Sequence, residues 1–178
     1  LESSQCILEW LTAGTFESLI LKQAGRTNEA VERIEEIADA ARQFGFEKLR
    51  AAALINRAEM TACVGDESIG AGLVKALDIT RRLGIKPWES LIYLYYGSWL
   101  LQRGDFDIAV QTLEQGVSQS EGLGMFNISL RSLLALAEAQ QEYGTPEALR
   151  RAWVRIERYA LEHRDLPPSA LKDLEQAR

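Results

Sequence analysis

This sequence has one histidine and two cysteines, and these candidates for a base and a nucleophile lie far apart along the chain. The single histidine, His163, falls near the predicted end of a helix, where a cation is favoured by the helix dipole. A Cys–His nucleophile would require His163 to meet Cys6 or Cys63, and Cys63 lies two of the sequence repeats described below away from it. We therefore expect no catalytic residues and no enzyme activity.

Metal and phosphate sites are not indicated either. The sequence has no Cys-x-x-Cys pair, no paired histidines and no carboxylates clustered at metal spacing, so we expect no zinc site. Gly70-Ala71-Gly72 has the glycine content of a phosphate-binding loop, but no strand is predicted before it and it falls inside a helical pattern. We expect close helix packing there, and no cofactor.

The composition narrows the range of partners. The chain has 178 residues, 47% hydrophobic and 26% charged, as in a single globular domain spanning 1–178. Its net charge of −6 disfavours direct nucleic-acid binding, and no apolar run approaches the roughly 20 residues that span a membrane. Cys6 and Cys63 lie in apolar helical contexts, which favours buried free thiols in the cytoplasm. The first residue is Leu1, so we expect a piece of a longer protein.

Glycines reveal an internal repeat of about 40 residues. They end the apolar segments in two interleaved series, at Gly25, Gly65, Gly104 and Gly144, and at Gly45, Gly84 and Gly124. Two series with one period predict two helices per repeat, each closed by a residue that tolerates positive φ. The segments carry helical periodicity and the sequence lacks strand signals. We predict nine helices, near residues 4–23, 27–43, 47–63, 67–83, 88–102, 106–122, 127–142, 146–162 and 168–177.

Small residues recur where paired helices must cross. Seven residues before the glycines of the first series stand Ser18, Ala58, Gly97 and Ala137. Five residues after the first three of these glycines stand Ala30, Gly70 and Ala109. Larger side chains at these places would separate the paired helices. The register therefore predicts repeated, close helix pairs.

The third repeat carries the clearest family resemblance. An aromatic residue precedes Gly97, the turn reads Gly104-Asp105-Phe106, and Ala109 follows. Over residues 10–163 the chain resembles the tetratricopeptide repeat, in a longer form than the usual period of about 34 residues. Such long repeats are similar to those of bacterial signalling proteins and transcription regulators. The resemblance implies an all-α, right-handed α-solenoid of about four helix pairs plus a C-terminal helix.

The same resemblance implies a binding surface. In such a fold the first helix of each pair lines a concave groove. The groove-facing places that the resemblance implies are Ala52, Ile55, Glu59 and Ala62 in the second repeat, Leu91, Leu94, Ser98 and Leu101 in the third, and Arg131, Leu134, Glu138 and Gln141 in the fourth. They are expected to contact a protein or peptide partner.

The predicted helix 88–102 is apolar on nearly every side. One interpretation is that neighbouring pairs cover it completely, so that it is core. The other is that Leu91, Leu94 and Leu101 line an open apolar groove for a peptide, a helix or another subunit. The sequence leaves both interpretations open.

Three functions are compatible with these features. We favour a non-catalytic interaction or regulatory module of a bacterial signalling or transcription-regulatory protein, whose partner is another protein, another domain of the same chain or a second copy. The alternatives are a domain that senses a small-molecule effector and a self-association domain. The sequence names no partner, and a fold resemblance cannot supply one.

Overall fold

The computed structural model describes residues 2–61 and 66–163. In these two ranges the chain is all-helical and contains no strand. The helices are α1 (Glu2–Gln23), α2 (Thr27–Gln43), α3 (Glu47–Thr61), α4 (Glu67–Leu83), α5 (Lys86–Arg103), α6 (Phe106–Gly122), α7 (Phe126–Tyr143) and α8 (Pro146–Glu162). The predicted helix at 168–177 lies outside the described residues.

The predicted helix bounds are confirmed to within two residues wherever both ends are described. One of these small differences has a clear cause. Helix α5 begins at Lys86 and includes Pro87, whereas we predicted a start at residue 88. Proline fits in the first turn of a helix because the N–H it lacks would have no partner inside the helix there.

The chain forms two compact units, Leu1–Ile85 and Lys86–Arg178. In the first unit α1 packs on α2, α2 on α3, and α3 on α4. In the second unit α5, α6, α7 and α8 pack in the same consecutive order. Each unit therefore consists of two helix pairs packed in sequence, as in a helical-repeat solenoid.

In each unit the first helices of the two pairs lie closer together than the second helices. Cα atoms of α1 come within 8 Å of α3, and those of α5 within 8 Å of α7. Among the described residues, α2 and α4 make no such approach, and neither do α6 and α8. The first helices therefore form the inner side of each unit and the second helices form the outer side.

The predicted glycine turns are confirmed with one exception. The glycines with positive φ, between 67° and 83°, are Gly25, Gly45, Gly84, Gly104 and Gly124. Gly144 instead has φ −95° and ψ −170°. Thr145, the residue before Pro146, is extended as well, with φ −94° and ψ 155°, as proline requires of the residue that precedes it. This turn is therefore made without a left-handed residue. Gly65 lies outside the described residues.

The core of the first unit joins both of its pairs. Leu11 of α1, Ile34, Ile37 and Ala41 of α2, and Ala53 of α3 form one buried cluster. The side chain of Ala53 thus packs against the preceding pair. Burial of such apolar groups stabilises the fold by roughly 25 cal/mol per Å², and a single pair could not cover this surface alone.

The crossing of α5 and α6 depends on Gly97. A Cβ atom at this position would lie 2.5 Å from Cγ of Leu113 and 2.7 Å from its Cδ2. Ala109, the other predicted small residue of this repeat, is fully buried. The predicted close approach is therefore confirmed for this pair.

We expect Gly97→Ala to lower the free energy of unfolding by about 1–3 kcal/mol, because overpacking outweighs the gain in helix propensity. Gly122 provides a matched control, because a Cβ atom there would meet nothing within 4 Å. Gly122→Ala should therefore be neutral or stabilising by up to about 1 kcal/mol. Urea denaturation followed by circular dichroism measures both. Equal effects of the two substitutions would contradict the close crossing.

The start of α4 is capped by Asp66. Its Oδ1 accepts a hydrogen bond from the Ser68 backbone N–H at 2.9 Å, and its Oδ2 accepts one from the Ser68 hydroxyl at 2.7 Å. The hydroxyl first, and then the N–H, hold the pKa of Asp66 below its usual value. At the start of α6, Asp105 makes no such side-chain cap.

We expect Asp66→Ala to destabilise the protein at neutral pH, and the loss to disappear in acid. Because the folded-state pKa of Asp66 is lowered, its contribution is complete above the unfolded-state pKa and is lost as pH falls through the folded one. Melting temperatures between pH 7 and pH 3 measure this difference. Asp105→Ala should have a smaller effect. A loss from Asp66→Ala that is the same at every pH would refute the capping role.

Candidate binding surface

In each unit a polar side-chain contact on the inner side connects the two first helices. In the first unit, Nζ of Lys22 on α1 lies 3.0 Å from Oε1 of Glu59 on α3, across 37 residues. In the second unit, Arg131 on α7 reaches Tyr95 on α5, across 36 residues. Within each unit, the residues that connect the two first helices are therefore separated by nearly the same number of positions.

The third-repeat residues of the predicted groove divide into two groups. Leu94 is 3% exposed and belongs to the core, which corrects its assignment to an open groove. Leu91, Ser98 and Leu101 are half-buried, and the Ser98 hydroxyl donates to the Leu94 carbonyl at 3.0 Å. Helix α5 is thus not covered completely, as the first interpretation required: eight of its 18 residues are buried, Leu94 among them, and a partly open strip is left on it.

The second-repeat residues offer less open surface. Ile55 is 5% exposed and is core, so its assignment to the groove is also corrected. The reason is the close approach of α1, α2 and α4 to α3, which covers most of this helix. Ala52 and Glu59 are half-buried, and Glu59 is already paired with a lysine. Ala62 lies outside the described residues.

The fourth-repeat residues are more accessible. Arg131 and Leu134 are half-buried, and Glu138 and Gln141 are exposed. The Arg131 guanidinium lies 5.5 Å from the centre of the Tyr95 ring, and its Nη1 is 3.5 Å from the Tyr95 hydroxyl. A cation placed over an aromatic ring is stabilised by about 0.5–2 kcal/mol, so this contact orients the guanidinium on the inner side.

Charge on the inner side differs between the units. Glu59 of the first unit is neutralised by Lys22. Among the ion pairs of residues 66–163 none involves Arg131 or Glu138. The inner side of the second unit therefore carries a cation and an anion that form no ion pair with the other ionised side chains of residues 66–163.

An exposed apolar stripe on α1 was not predicted. Phe16 is 62% exposed and Ile20 65%, one turn apart and away from buried Leu11, whereas Trp10, 41% exposed, has its ring 5.2 Å from the Arg33 guanidinium of α2. One repeat later, Ala53 and Met60 occupy the places of Ala13 and Ile20, and both pack against the preceding pair. The sequence could not reveal the stripe, because apolar residues occur on both faces of α1.

His163 packs against aromatic rings, and Cys6 lies on the surface. His163 ends α8, with ring centres 4.0 Å from Phe126 and 4.5 Å from Tyr159. Burial raises the pKa of Tyr159, whose hydroxyl lies 3.4 Å from the Phe126 carbonyl. Cys6 is exposed, contrary to the predicted buried thiol; the amphipathic pattern of α1 did not fix which face turns inward. Cys63 lies outside the described residues.

A depression lies between α5 and α6 on the second unit. It has a volume of about 530 Å³ and is lined by Tyr93, Glu114, Gln115, Ser118 and Gln119. It is wide open to solvent, whereas small-molecule sites usually enclose most of their ligand. It gives the effector-sensing alternative little support.

Residues 2–61 and 66–163 contain no group of three or more His, Cys, Asp or Glu side chains placed to hold a metal ion. Within the same residues, no helix combines the length and the apolarity that a membrane crossing requires.

Comparison with known proteins gives no family for this chain. No protein-family model matches it, and no curated protein is significantly similar in sequence. The function is therefore inferred from the helices, their packing and the surfaces that they expose.

Proposed function

We propose that this chain is a non-catalytic, cytoplasmic interaction module of the long tetratricopeptide-repeat kind, within a signalling or transcription-regulatory protein. Its partner is a protein segment held on the inner side of the second unit. We call this surface the inner strip and define it as Leu91, Ser98 and Leu101 of α5 with Arg131, Leu134 and Glu138 of α7.

One observation carries the proposal. The inner strip combines half-buried leucines with a cation and an anion that form no ion pair with each other or with other ionised side chains of residues 66–163. An apolar surface with a few oriented polar groups is the usual composition of a protein-binding site. The inner side of the first unit is less suitable, because its central anion is already paired.

Photocrosslinking in cells tests the proposal on the whole protein. A photoreactive amino acid is placed at Leu101 or Leu134, and at the control position Val154, which is 58% exposed on α8. We expect a distinct crosslinked protein from the two inner positions and its absence from Val154. Identical products from all three positions, or no product from the inner ones, would contradict the proposal.

Self-association through α1 is a second candidate. It is supported by the exposed Phe16 and Ile20, since exposed apolar patches commonly mark protein interfaces. Sedimentation velocity of the wild type and of Phe16→Glu/Ile20→Glu tests it. A wild type that dimerises and a variant that does not would favour this candidate, and a wild type that stays monomeric at high concentration would remove it.

A further inference from the structure

Three side chains on α7 form one stripe of alternating character. Arg131, Leu134 and Glu138 are spaced at i, i+3 and i+7, so they lie on one face of the helix. The rise of about 1.5 Å per residue places Glu138 about 10.5 Å along the axis from Arg131. The order along the stripe is therefore cation, apolar residue, anion.

The first unit shows why these charges are open. There the pair of Lys22 and Glu59 joins the first helices across 37 residues. With the same offset in the second unit, Leu101 is the sequence counterpart of Lys22 and Glu138 is the counterpart of Glu59. An apolar side chain thus stands where the first unit has its lysine, and Glu138 is left without that cation.

Arg131 is held in place but not neutralised. Its described contacts are with Tyr95, through the ring and the hydroxyl, and no carboxylate of residues 66–163 forms an ion pair with it. A partly buried guanidinium favours a carboxylate with which it can make charge-assisted hydrogen bonds. A partner that supplies an acidic group here and a basic group near Glu138 would complete both charges.

We propose that the partner is a single amphipathic helix of another protein, carrying an acidic, an apolar and a basic side chain at i, i+3 or i+4, and i+7. This inference rests on the proposed function of the inner strip. The acidic group faces Arg131, the apolar side chain packs on Leu134 and Leu101, and the basic group faces Glu138.

The axial spacing favours a helix over a β-strand. Side chains on one face of a strand recur about every 6.6 Å, so they meet stripe positions near 6.6 Å and 13 Å rather than 10.5 Å. A helix reproduces the spacing of α7, since both helices rise by about 1.5 Å per residue. Charge also gives specificity, because a helix that docks in the same direction with the opposite order of charges would meet like charges at both ends.

Selection from a displayed library of helical peptides tests the partner chemistry. The library randomises the exposed positions of a 14-residue helical scaffold, about four turns long, and is selected on the wild type and on Arg131→Glu/Glu138→Arg. We expect peptides from the wild type to share one order of the three groups along the chain, either acidic–apolar–basic or its reverse, according to the direction in which the partner helix docks. They should bind the swapped variant at least tenfold more weakly, and peptides selected on that variant should carry inverted charges.

A matched control is the swap Arg158→Glu/Glu162→Arg, which exchanges an exposed pair on α8; it should leave the selected pattern unchanged. If the swapped variant does not fold, Glu138→Gln replaces it, and the preference for a basic residue should then disappear. If peptides selected on the swapped variant bind the inner strip but do not carry inverted charges, the proposed charge pattern is wrong and the proposed function stands. No selected peptide, or binding unaffected by Leu101→Glu, would overturn both.

Discussion

Leu94→Glu should lower the free energy of unfolding by several kcal/mol, as much as Leu100→Glu. The two leucines are 3% and 4% exposed, so each substitution removes a packed side chain and buries a carboxylate without a partner. Loss of a buried leucine alone costs about 2–5 kcal/mol, and an unpaired buried charge adds to that cost. Urea denaturation followed by circular dichroism measures the effect.

Leu101→Glu is the informative control. Leu101 is half-buried on the same helix, so its new carboxylate can remain in water and the loss of stability should be less than half that of Leu94→Glu. If Leu94→Glu unfolds at the same urea concentration as the wild type, Leu94 lies on an open surface after all. The core assignment of α5 would then be wrong.

Leu11→Ala should destabilise the protein by about 2–5 kcal/mol, whereas Ile20→Ala should change stability by less than about 0.5 kcal/mol. Leu11 is fully buried against Ile34 and Ile37, and Ile20 is 65% exposed on the opposite face of α1. Both changes occur on one helix and remove equally large side chains, so side-chain size is matched, and Ile→Ala gains only slightly more helix propensity than Leu→Ala.

Thermal or urea denaturation of both variants decides this point. Equal losses would mean that Ile20 is covered in solution, by a second copy of the chain or by another part of the protein. Repeating the measurement over a hundredfold range of protein concentration separates these cases, because only association depends on concentration.

The helices could be predicted from sequence because their signals are local. Glycine at Gly45, Gly84 and Gly104 permits the positive φ that ends a helix, and each lies one short turn before the next periodic segment. Gly97 could be predicted as a crossing point because it stands in register with other small residues. Both signals depend on a few neighbouring residues and on a repeat that presents them several times.

The burial of individual groove residues could not be predicted, because it depends on how helices far apart in sequence approach one another. Leu91 and Leu94 lie one turn apart in an apolar helix, and the sequence does not show which of them the neighbouring helices cover. The pairing of Lys22 with Glu59 and the contact of Arg131 with Tyr95 likewise join residues 37 and 36 positions apart. Such contacts determine whether a charged side chain on the inner side is neutralised by a neighbouring helix or remains available to a partner.

Binding by the inner strip is tested most directly by calorimetric titration of the crosslinked partner, or of a selected helical peptide, into folded protein. We expect Leu101→Glu to weaken binding at least tenfold, whereas Val154→Glu, on α8, should bind as the wild type does. A change of that size corresponds to about 1.4 kcal/mol or more of binding free energy. Equal affinity for the wild type and Leu101→Glu would contradict the claim that the inner strip is the binding surface.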